Sequence, residues 1–178
     1  MTDPFDRQRK VPQWDHEVIA QTCAVVLGVG GIGCTVALCL ARLGVAQIVL
    51  VDFDTVDVTN LNRQVLFSSE MVGMRKVDAA ANGIRAHCIR SEIIPIFANV
   101  VTEWRSIVVP HVLKASVVFD CVDFGPSFDA ALHSLCAIAN IPVVGAASYA
   151  HTAISEVYQA PRSGYRFGSR NSSAAEST

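Results

Sequence analysis

Residues 22–33 read TCAVVLGVGGIG, a short apolar run that ends in a cluster of glycines. The β-branched residues before Gly28 predict a buried strand. The alanine- and leucine-rich segment 32–43, followed by Gly44, predicts a helix. Glycines between a strand and a helix let the backbone turn tightly and aim amides at a phosphate. The stretch therefore predicts a nucleotide site, although a glycine turn can also serve only close packing of helix and strand.

Strands and helices alternate along the rest of the chain. Further strands are predicted at 48–51, 93–97, 117–121, 142–146 and 155–159, and further helices at 75–89, 102–113 and 128–139. Pro95 predicts an edge position for the third strand. This alternation predicts an α/β fold, a doubly wound (Rossmann-like), mostly parallel sheet with helices on both faces. We predict one domain over residues 1–162 and a disordered tail over residues 163–178.

Composition excludes several classes of protein. Hydrophobic residues make up 51% of the 178 residues and charged residues 17%, as in chains whose strands are buried on both faces. No apolar run reaches the roughly 20 residues that span a bilayer, and the polar start is unlike a secretory signal. A net charge of −2 without a basic block argues against nucleic acid as a partner. Six cysteines, none in a Cys-x-x-Cys pair and most of them within apolar segments, indicate buried, reduced thiols in a cytoplasmic protein.

Acids that follow two predicted strands are candidate ligand contacts. Asp52 ends the second strand about 20 residues after the glycine turn, where a carboxylate can accept hydrogen bonds from ribose hydroxyls. Asp54, two residues later, could take that role instead. Asp123 follows the fourth strand, where it could hold Mg²⁺ through oxygen or cap the next helix. Asp120 is expected to point elsewhere.

The segments NLNRQ, residues 60–64, and GMRK, residues 73–76, supply amides and cations. Arg63 has a rigid fork that suits phosphate oxygens, and Lys76 gives a compact, movable charge. An unpaired Lys76 in the first turn of a helix opposes the helix dipole, and a bound phosphate would reverse that penalty. We interpret the two cations as part of a triphosphate site; two solvated surface charges are the alternative.

Seven segments in this order resemble the adenylating domain shared by ubiquitin-activating enzymes and the bacterial ThiF and MoeB proteins. They are Arg7-Gln8, 28–33, 52–54, 60–64, 73–76, 120–123 and 142–147, within a resemblance that covers roughly residues 5–160. The resemblance implies adenylation of the C-terminal glycine of a ubiquitin-like or sulfur-carrier protein, with an acyl-adenylate and pyrophosphate as products. It also implies ATP and Mg²⁺ as cofactors.

The resemblance implies roles for particular residues. Asp52 would bind ribose, and Asp123 would hold Mg²⁺. The glycines assigned to the nucleotide turn are Gly28, Gly30, Gly31 and Gly33. Contacts with the phosphates are assigned to Asn60, Arg63, Gln64 and Lys76. Arg7 matches an arginine that reaches the γ-phosphate of the neighbouring subunit's ATP, which implies a homodimer or heterodimer with shared sites. The residues implied to carry catalysis are Arg63, Lys76, Asp123 and Arg7.

Three departures from the family's pattern stand out. The family usually has an asparagine after the metal-binding acid and an arginine a few residues later. Phe124 and Phe128 stand near those places, which changes the surroundings of Asp123. Many members carry paired Cys-x-x-Cys zinc ligands that this sequence lacks, so we expect no structural zinc. The sequence stops where the family adds strands and often a thioester-forming cysteine, and Cys121 is not expected to act as a nucleophile.

Other functions compete with adenylation of a carrier protein. A truncated, non-catalytic or partner subunit of an activating enzyme would keep the fold and nucleotide binding. An NAD-dependent oxidoreductase would need a separate substrate domain, for which this sequence has no room. A tRNA-modifying adenylating enzyme would need a basic patch, which the sequence lacks.

Overall fold

The structure, a computed structural model, describes residues 3–149 and 152–159. The tail predicted over residues 163–178 lies outside the described residues, as does the end of the predicted domain. Within the described ranges, six strands form one sheet in the order β3-β2-β1-β4-β5-β6. The strands are β1 Cys23–Leu27, β2 Gln47–Asp52, β3 Glu92–Phe97, β4 Val117–Asp120, β5 Val143–Tyr149 and β6 Thr152–Tyr158.

The strand order confirms the predicted doubly wound sheet. Strands β1 to β5 pair in parallel, and β6 pairs antiparallel to β5. Only two residues separate Tyr149 from Thr152, too few for the crossover that a parallel strand needs. Strand β1 lies between β2 and β4. After β1 the chain adds β2 and β3 on one side of it and then crosses to add β4 on the other side. That reversal places a crevice at the carboxyl ends of these three strands.

Helices cover both faces of the sheet. The α-helices of the described part are α1 Asp6–Arg9, α2 His16–Gln21, α3 Gly31–Leu43, α4 Lys76–Arg85, α5 Val109–Val112 and α6 Pro126–Ala139. Alternate residues of β1 enter opposite cores, because successive side chains of a strand point to opposite faces. Val26 packs in the core that contains residues of α3 and α4, and Val25 in the core that contains residues of α5 and α6. Within residues 3–149 and 152–159, no helix combines the length and apolar character needed to cross a membrane.

Two predicted helices are shorter than the sequence suggests. The helix predicted at 75–89 ends at Arg85. The segment predicted as a helix at 102–113 contains a π-helical turn, Trp104–Val108, followed by the four residues of α5. Pro110 has no N–H to donate, so a regular α-helical ladder cannot run through it. Pro95, in contrast, lies on an edge strand as predicted, since β3 ends the sheet.

Candidate functional site

The loops after β1, β2 and β4 meet at the crevice. The amide of Gly28 donates to Val51 O at 2.8 Å, and the amide of Cys121 donates to Leu27 O at 2.9 Å. These bonds extend the sheet pairing into the loops, which line a cavity of about 250 Å³. Its lining includes the glycines Gly28 and Gly30 and the charged residues Asp52, Asp54, Lys76 and Asp123. Motifs that lie far apart in the sequence therefore share one cavity.

The glycines of the turn divide into two pairs with different constraints. Gly28 has φ +84°, and a Cβ there would lie 2.8 Å from Cys121 O. A Cβ on Gly33 would lie 1.9 Å from Gly28 O. Close packing thus accounts for this pair. Gly30 and Gly31 have room for a Cβ, so packing does not explain them. Gly30 is the N-cap of α3, whose first amides are the helix end that attracts anions.

Both oxygens of the Asp52 carboxylate accept backbone hydrogen bonds. Oδ2 accepts from Val29 N at 2.7 Å, and Oδ1 accepts from Asp54 N at 2.8 Å. Asp52 is buried and fastens the glycine turn to the end of β2. A carboxylate oxygen can accept more than one hydrogen bond, so Asp52 keeps acceptor capacity toward the cavity. Its predicted contact with ribose stays a prediction.

Lys76 is paired with Asp54 across the cavity. Its Nζ lies 2.8 Å from Asp54 Oδ2, and its amide donates to Asp54 O at 2.9 Å. Lys76 is the first residue of α4 and is 8% exposed. The assumption of an unpaired cation was therefore wrong: Asp54 offsets the unfavourable interaction with the helix dipole. A phosphate would have to share Lys76 with Asp54 or displace it.

Arg63 and Gln64 lie over the glycine turn. A Cβ on Gly31 would be 3.5 Å from Arg63 Cγ, and a Cβ on Gly30 would be 4.0 Å from Gln64 Nε2. Arg63 is exposed, and its Nη1 donates to Thr59 O at 3.0 Å. Gln64 is buried, and its Oε1 has no hydrogen-bond partner among the described residues. A buried amide without a partner is costly, so the residues beside the turn fit a polar ligand there.

Asn60 does not reach the cavity. Its Oδ1 accepts a hydrogen bond from Asp57 N at 3.0 Å, as part of a capping box on the short 3₁₀ turn Val58–Asn60. In this structure the amide therefore shapes the loop that carries Arg63 and Gln64. Its predicted contact with phosphate stays a prediction.

Asp123 lies between two cavities. It lines the cavity just described and a neighbouring one of about 280 Å³. It does not cap the next helix, since Gly125 is the N-cap of α6 and no side chain caps that end. Asp123 makes no hydrogen bond or ion pair within the described residues. Its exposed carboxylate is thus available to a ligand.

The predicted Mg²⁺ site rests on the carboxylate of Asp123. Among residues 3–149 and 152–159, no group of three or more His, Cys, Asp or Glu side chains is arranged to hold a metal ion. Mg²⁺ commonly binds through one or two carboxylates together with substrate phosphates and water. The exposed Asp123 carboxylate fits a Mg²⁺ ion that enters with a nucleotide.

The second cavity contains acids that the sequence did not single out as a group. Asp120, Asp129 and Glu156 line it together with Asp123. Burial raises the pKa of Asp120 from 3.8 to about 6. Closeness in the sequence could have indicated that Asp120, the last residue of β4, and Asp123 in the following loop lie near one another. Glu156 comes from β6, and only the sheet pairing places it there.

Cys121 touches both cavities but is a poor nucleophile. Burial, with a smaller contribution from Asp120, raises the pKa of its thiol from 9.0 to about 12. Since the thiolate is the reactive form, this thiol stays protonated at neutral pH. All six cysteines are free thiols, but only Cys34 and Cys136 are buried, so the prediction that most of these thiols are buried was wrong.

The replaced positions Phe124 and Phe128 have different environments. Phe128 lies in the first turn of α6 and is buried in the core, with its ring edge-on to Trp104 at 5.5 Å between centroids. Phe124 is exposed and lines the first cavity beside Phe53. The sequence identified Phe124 only as a departure and did not identify Phe53 as a lining residue.

Arg7 lies away from the cavity of its own chain. The ring of Phe5 packs against Gly44, which is the C-cap of α3, so closely that a Cβ on Gly44 would lie 2.4 Å from Phe5 Cζ. The glycine turn is at the other end of this 13-residue helix, about 20 Å away at 1.5 Å per residue. Arg7 is only two residues from Phe5, a span of at most about 7 Å. Its side chain is exposed and makes no ion pair within the described residues.

Comparison with known proteins agrees with this architecture. The profile of the ThiF family matches residues 5–171. The chain belongs to the ThiF family. Salmonella typhimurium molybdopterin-synthase adenylyltransferase is 35% identical over 134 residues, which are 75% of this chain and 52% of that protein. Bovine adenylyltransferase and sulfurtransferase MOCS3 is 34% identical over 81% of this chain and 31% of that protein.

Solved structures extend the comparison to the fold. A crystal structure of E. coli MccB with AMPCPP and selenomethionine MccA has a TM-score of 0.73 and 28% identity, over 81% of this chain and 42% of that one. A crystal structure of E. coli MccB with ATP has a TM-score of 0.66 and 27% identity, over 74% and 38%. This ThiF-family chain thus spans about half or less of the relatives it matches.

Proposed function

We propose that the chain carries the ATP site of an enzyme that adenylates the C-terminal glycine of a ubiquitin-like or sulfur-carrier protein. The observation that carries the proposal is the shared cavity at the end of β1. The glycine turn, Asp52, Lys76 and Asp123 come from four separate segments and line it together. Membership of a family with adenylyltransferase relatives supports the same function.

The residues of the site have distinct parts in this proposal. The amides at the start of α3 and the cations Arg63 and Lys76 hold the phosphates, and Asp52 accepts from the ribose hydroxyls. The incoming carboxylate attacks the α-phosphorus, and the bond to the leaving pyrophosphate breaks. Negative charge grows on that pyrophosphate, so the cations stabilise the transition state more than the ground state. Mg²⁺, when bound at Asp123, supplies further positive charge there.

A general base is not required for this step. The attacking carboxylate of the carrier is already ionised at neutral pH. Positioning and charge neutralisation therefore suffice. The high pKa of Cys121 is compatible with that chemistry, because no thiolate takes part.

Arg7 supports a shared-site dimer in the proposal. It lies at the far end of α3 from its own cavity, so a contact with ATP would have to be with the ATP of a neighbouring subunit. The partner is a second copy or a related chain. We place the protein in the cytoplasm, which the six free thiols support, with neither membrane nor nucleic acid as a partner.

A non-catalytic or partner subunit is the second candidate. It is favoured by the replacement of the family's arginine with Phe128, a core residue, and by the engagement of Lys76 with Asp54. An NAD-dependent oxidoreductase and a tRNA-modifying enzyme have no support from the two relatives described above, which are named as a molybdopterin-synthase adenylyltransferase and an adenylyltransferase and sulfurtransferase.

ATP–pyrophosphate exchange tests the proposal. Labelled pyrophosphate should enter ATP only when a carrier ending in Gly-Gly is present, and a carrier with the terminal glycine removed is the matched control. ATP binding without exchange, across all carriers of the source organism, would assign the chain to the non-catalytic class instead.

A further inference from the structure

Two phenylalanine rings form an exposed apolar surface at the first cavity. Phe53 is 41% exposed and Phe124 is 42% exposed, and both line that cavity. Their centroids are 6.5 Å apart, and their planes differ by 33°. Single exposed apolar residues are ordinary, but adjacent aromatic rings lining a cavity indicate a surface that a ligand covers.

Phe124 is supported from the protein side. Its ring lies 6.0 Å from the ring of Phe128, and Phe128 in turn packs against Trp104. Phe128 is buried in the core, so this row of rings connects Phe124 to the rigid part of the fold. A ring held in this way loses little conformational freedom when a ligand packs on it.

The lining of the cavity is divided by chemistry. Asp52, Lys76 and Asp123 bring charge, whereas Phe53, Val100 and Phe124 are apolar. A nucleoside triphosphate likewise has a polar part, the sugar with its phosphates, and an apolar part, the flat aromatic base. Phe53 directly follows Asp52 in the chain, so the apolar part begins next to the carboxylate proposed to meet the ribose.

We infer that Phe53 and Phe124 form a stacking platform for the purine base of the bound nucleotide. The inference rests on the proposed function, because it assumes that this cavity binds ATP. It gives Phe124 a binding role at a position where the family has an asparagine. Stacking on an aromatic side chain strengthens binding without selecting between bases, since every base has a π-face.

Phe124→Ala and Phe124→Trp test the platform through two ligands, Mg-ATP and inorganic tripolyphosphate, which lacks a base. In calorimetric titrations, Phe124→Ala should weaken ATP binding by about 5- to 100-fold and leave tripolyphosphate binding unchanged. Phe124→Trp should keep ATP affinity, and ATP but not tripolyphosphate should quench the fluorescence that the new tryptophan adds. Phe97→Ala is the matched control, because Phe97 is 41% exposed and does not line the cavity.

Each contrary result has a separate meaning. If Phe124→Ala binds ATP as tightly as the parent chain, the platform does not exist. If ATP affinity is unchanged but exchange requires more carrier protein, the rings dock the carrier and the inference is overturned. A parent chain that binds neither ATP nor tripolyphosphate overturns the proposed function, and the platform with it. Retained tripolyphosphate binding in Phe124→Ala also shows that the variant is folded.

Discussion

Lys76 Nζ lies 2.8 Å from Asp54 Oδ2, although the two residues are 22 positions apart in the sequence. Lys76 is nearly buried, whereas the side chain of Asp54 is 49% exposed. The ion pair joins the first turn of α4 to the loop after β2, and both residues line the first cavity. The cation is thus held at the cavity before any ligand arrives, with a carboxylate that water can solvate if the lysine turns to a phosphate.

Lys76→Met removes this charge while keeping a long apolar side chain in the buried position. We expect the rate of ATP–pyrophosphate exchange to fall by at least about 100-fold, as when one preorganised stabilising group is removed. The free energy of unfolding should fall by only about 1 kcal/mol, because Asp54 stays solvated. Lys114→Met is the control. Lys114 is exposed and precedes β4, so it lies near the amino end of that strand, whereas the cavity lies at the carboxyl ends. Equal exchange in the two variants would remove Lys76 from the site.

Asp123→Asn tests the metal assignment. An amide oxygen is a weaker ligand for Mg²⁺ than a carboxylate, so the Mg²⁺ concentration that gives half-maximal exchange should rise by about tenfold or more. Asp129→Asn is the matched control, because Asp129 lines only the second cavity. A Mg²⁺ titration of both variants decides the matter: if the two curves coincide with that of the parent chain, Asp123 is not a metal ligand.

Mixing two inactive variants tests the shared dimer site. Arg7→Ala should lower exchange by roughly 10³-fold, the usual effect of losing an arginine that stabilises phosphoryl transfer. In mixed dimers of Arg7→Ala with Lys76→Met, one site contains both native residues. After dissociation and reassociation, an equal mixture should recover about a quarter of the parent activity. Lack of recovery in dimers shown to be mixed would mean that Arg7 acts elsewhere.

Alanine should have different effects at Gly28, which is closely packed, and at Gly30, which has room for a Cβ. Gly28→Ala places a side chain at φ +84° and 2.7 Å from Val122 Cγ1, which should lower the free energy of unfolding by about 2–5 kcal/mol. Gly30→Ala meets no close atom and should leave stability within about 1 kcal/mol of the parent. It should still weaken ATP binding, because its Cβ lies beside the amides that receive the phosphates. Urea unfolding and calorimetric titration measure the two effects. Tight ATP binding by Gly30→Ala would exclude a close approach of phosphate there.

Asp120 predicts a pH dependence of stability. Burial raises the pKa of Asp120 in the folded protein above 3.8, so the native state favours the protonated acid. The contribution of Asp120 to the free energy of unfolding is therefore fully present below pH 3.8 and is lost as the pH rises through about 6. Asp120→Asn should be more stable than the parent at pH 8, by up to about 3 kcal/mol, and equal to it at pH 3.5. Urea unfolding at both pH values measures this. A constant difference across the range would show that the carboxylate is not penalised by burial.

Much of the fold follows from local patterns. The apolar run before Gly28, the alternation of strands with helices and the edge signal of Pro95 each predicted the observed element. Helix boundaries were less predictable, because α4 ends at Arg85 inside a longer amphipathic segment. Pro110 marked a disruption, but not the π-helical turn that precedes it.

The site could be predicted as a set of residue types, and its contacts could not. Glycines, acids and cations in the order of a known family pointed to a triphosphate site, and family membership agrees. The local sequence does not show that Lys76 pairs with Asp54, that Asn60 caps a turn, or that Gln64 lies buried beside the glycines. These contacts depend on how the crossover after β2 folds back over the start of α3.

The sequence by itself determined the class of fold and the chemistry available at the carboxyl edge of the sheet, because periodicity and turn residues act over a few neighbours. Only the tertiary structure decided which groups share a cavity. In the sequence, Phe124 and Phe128 are both simply phenylalanines near the end of β4. The structure shows that Phe124 is exposed beside Phe53, whereas Phe128 is buried against Trp104. The physical reason is that burial and pairing are set by strand order and crossover geometry, which bring together residues as far apart in the sequence as Gly28 and Phe124.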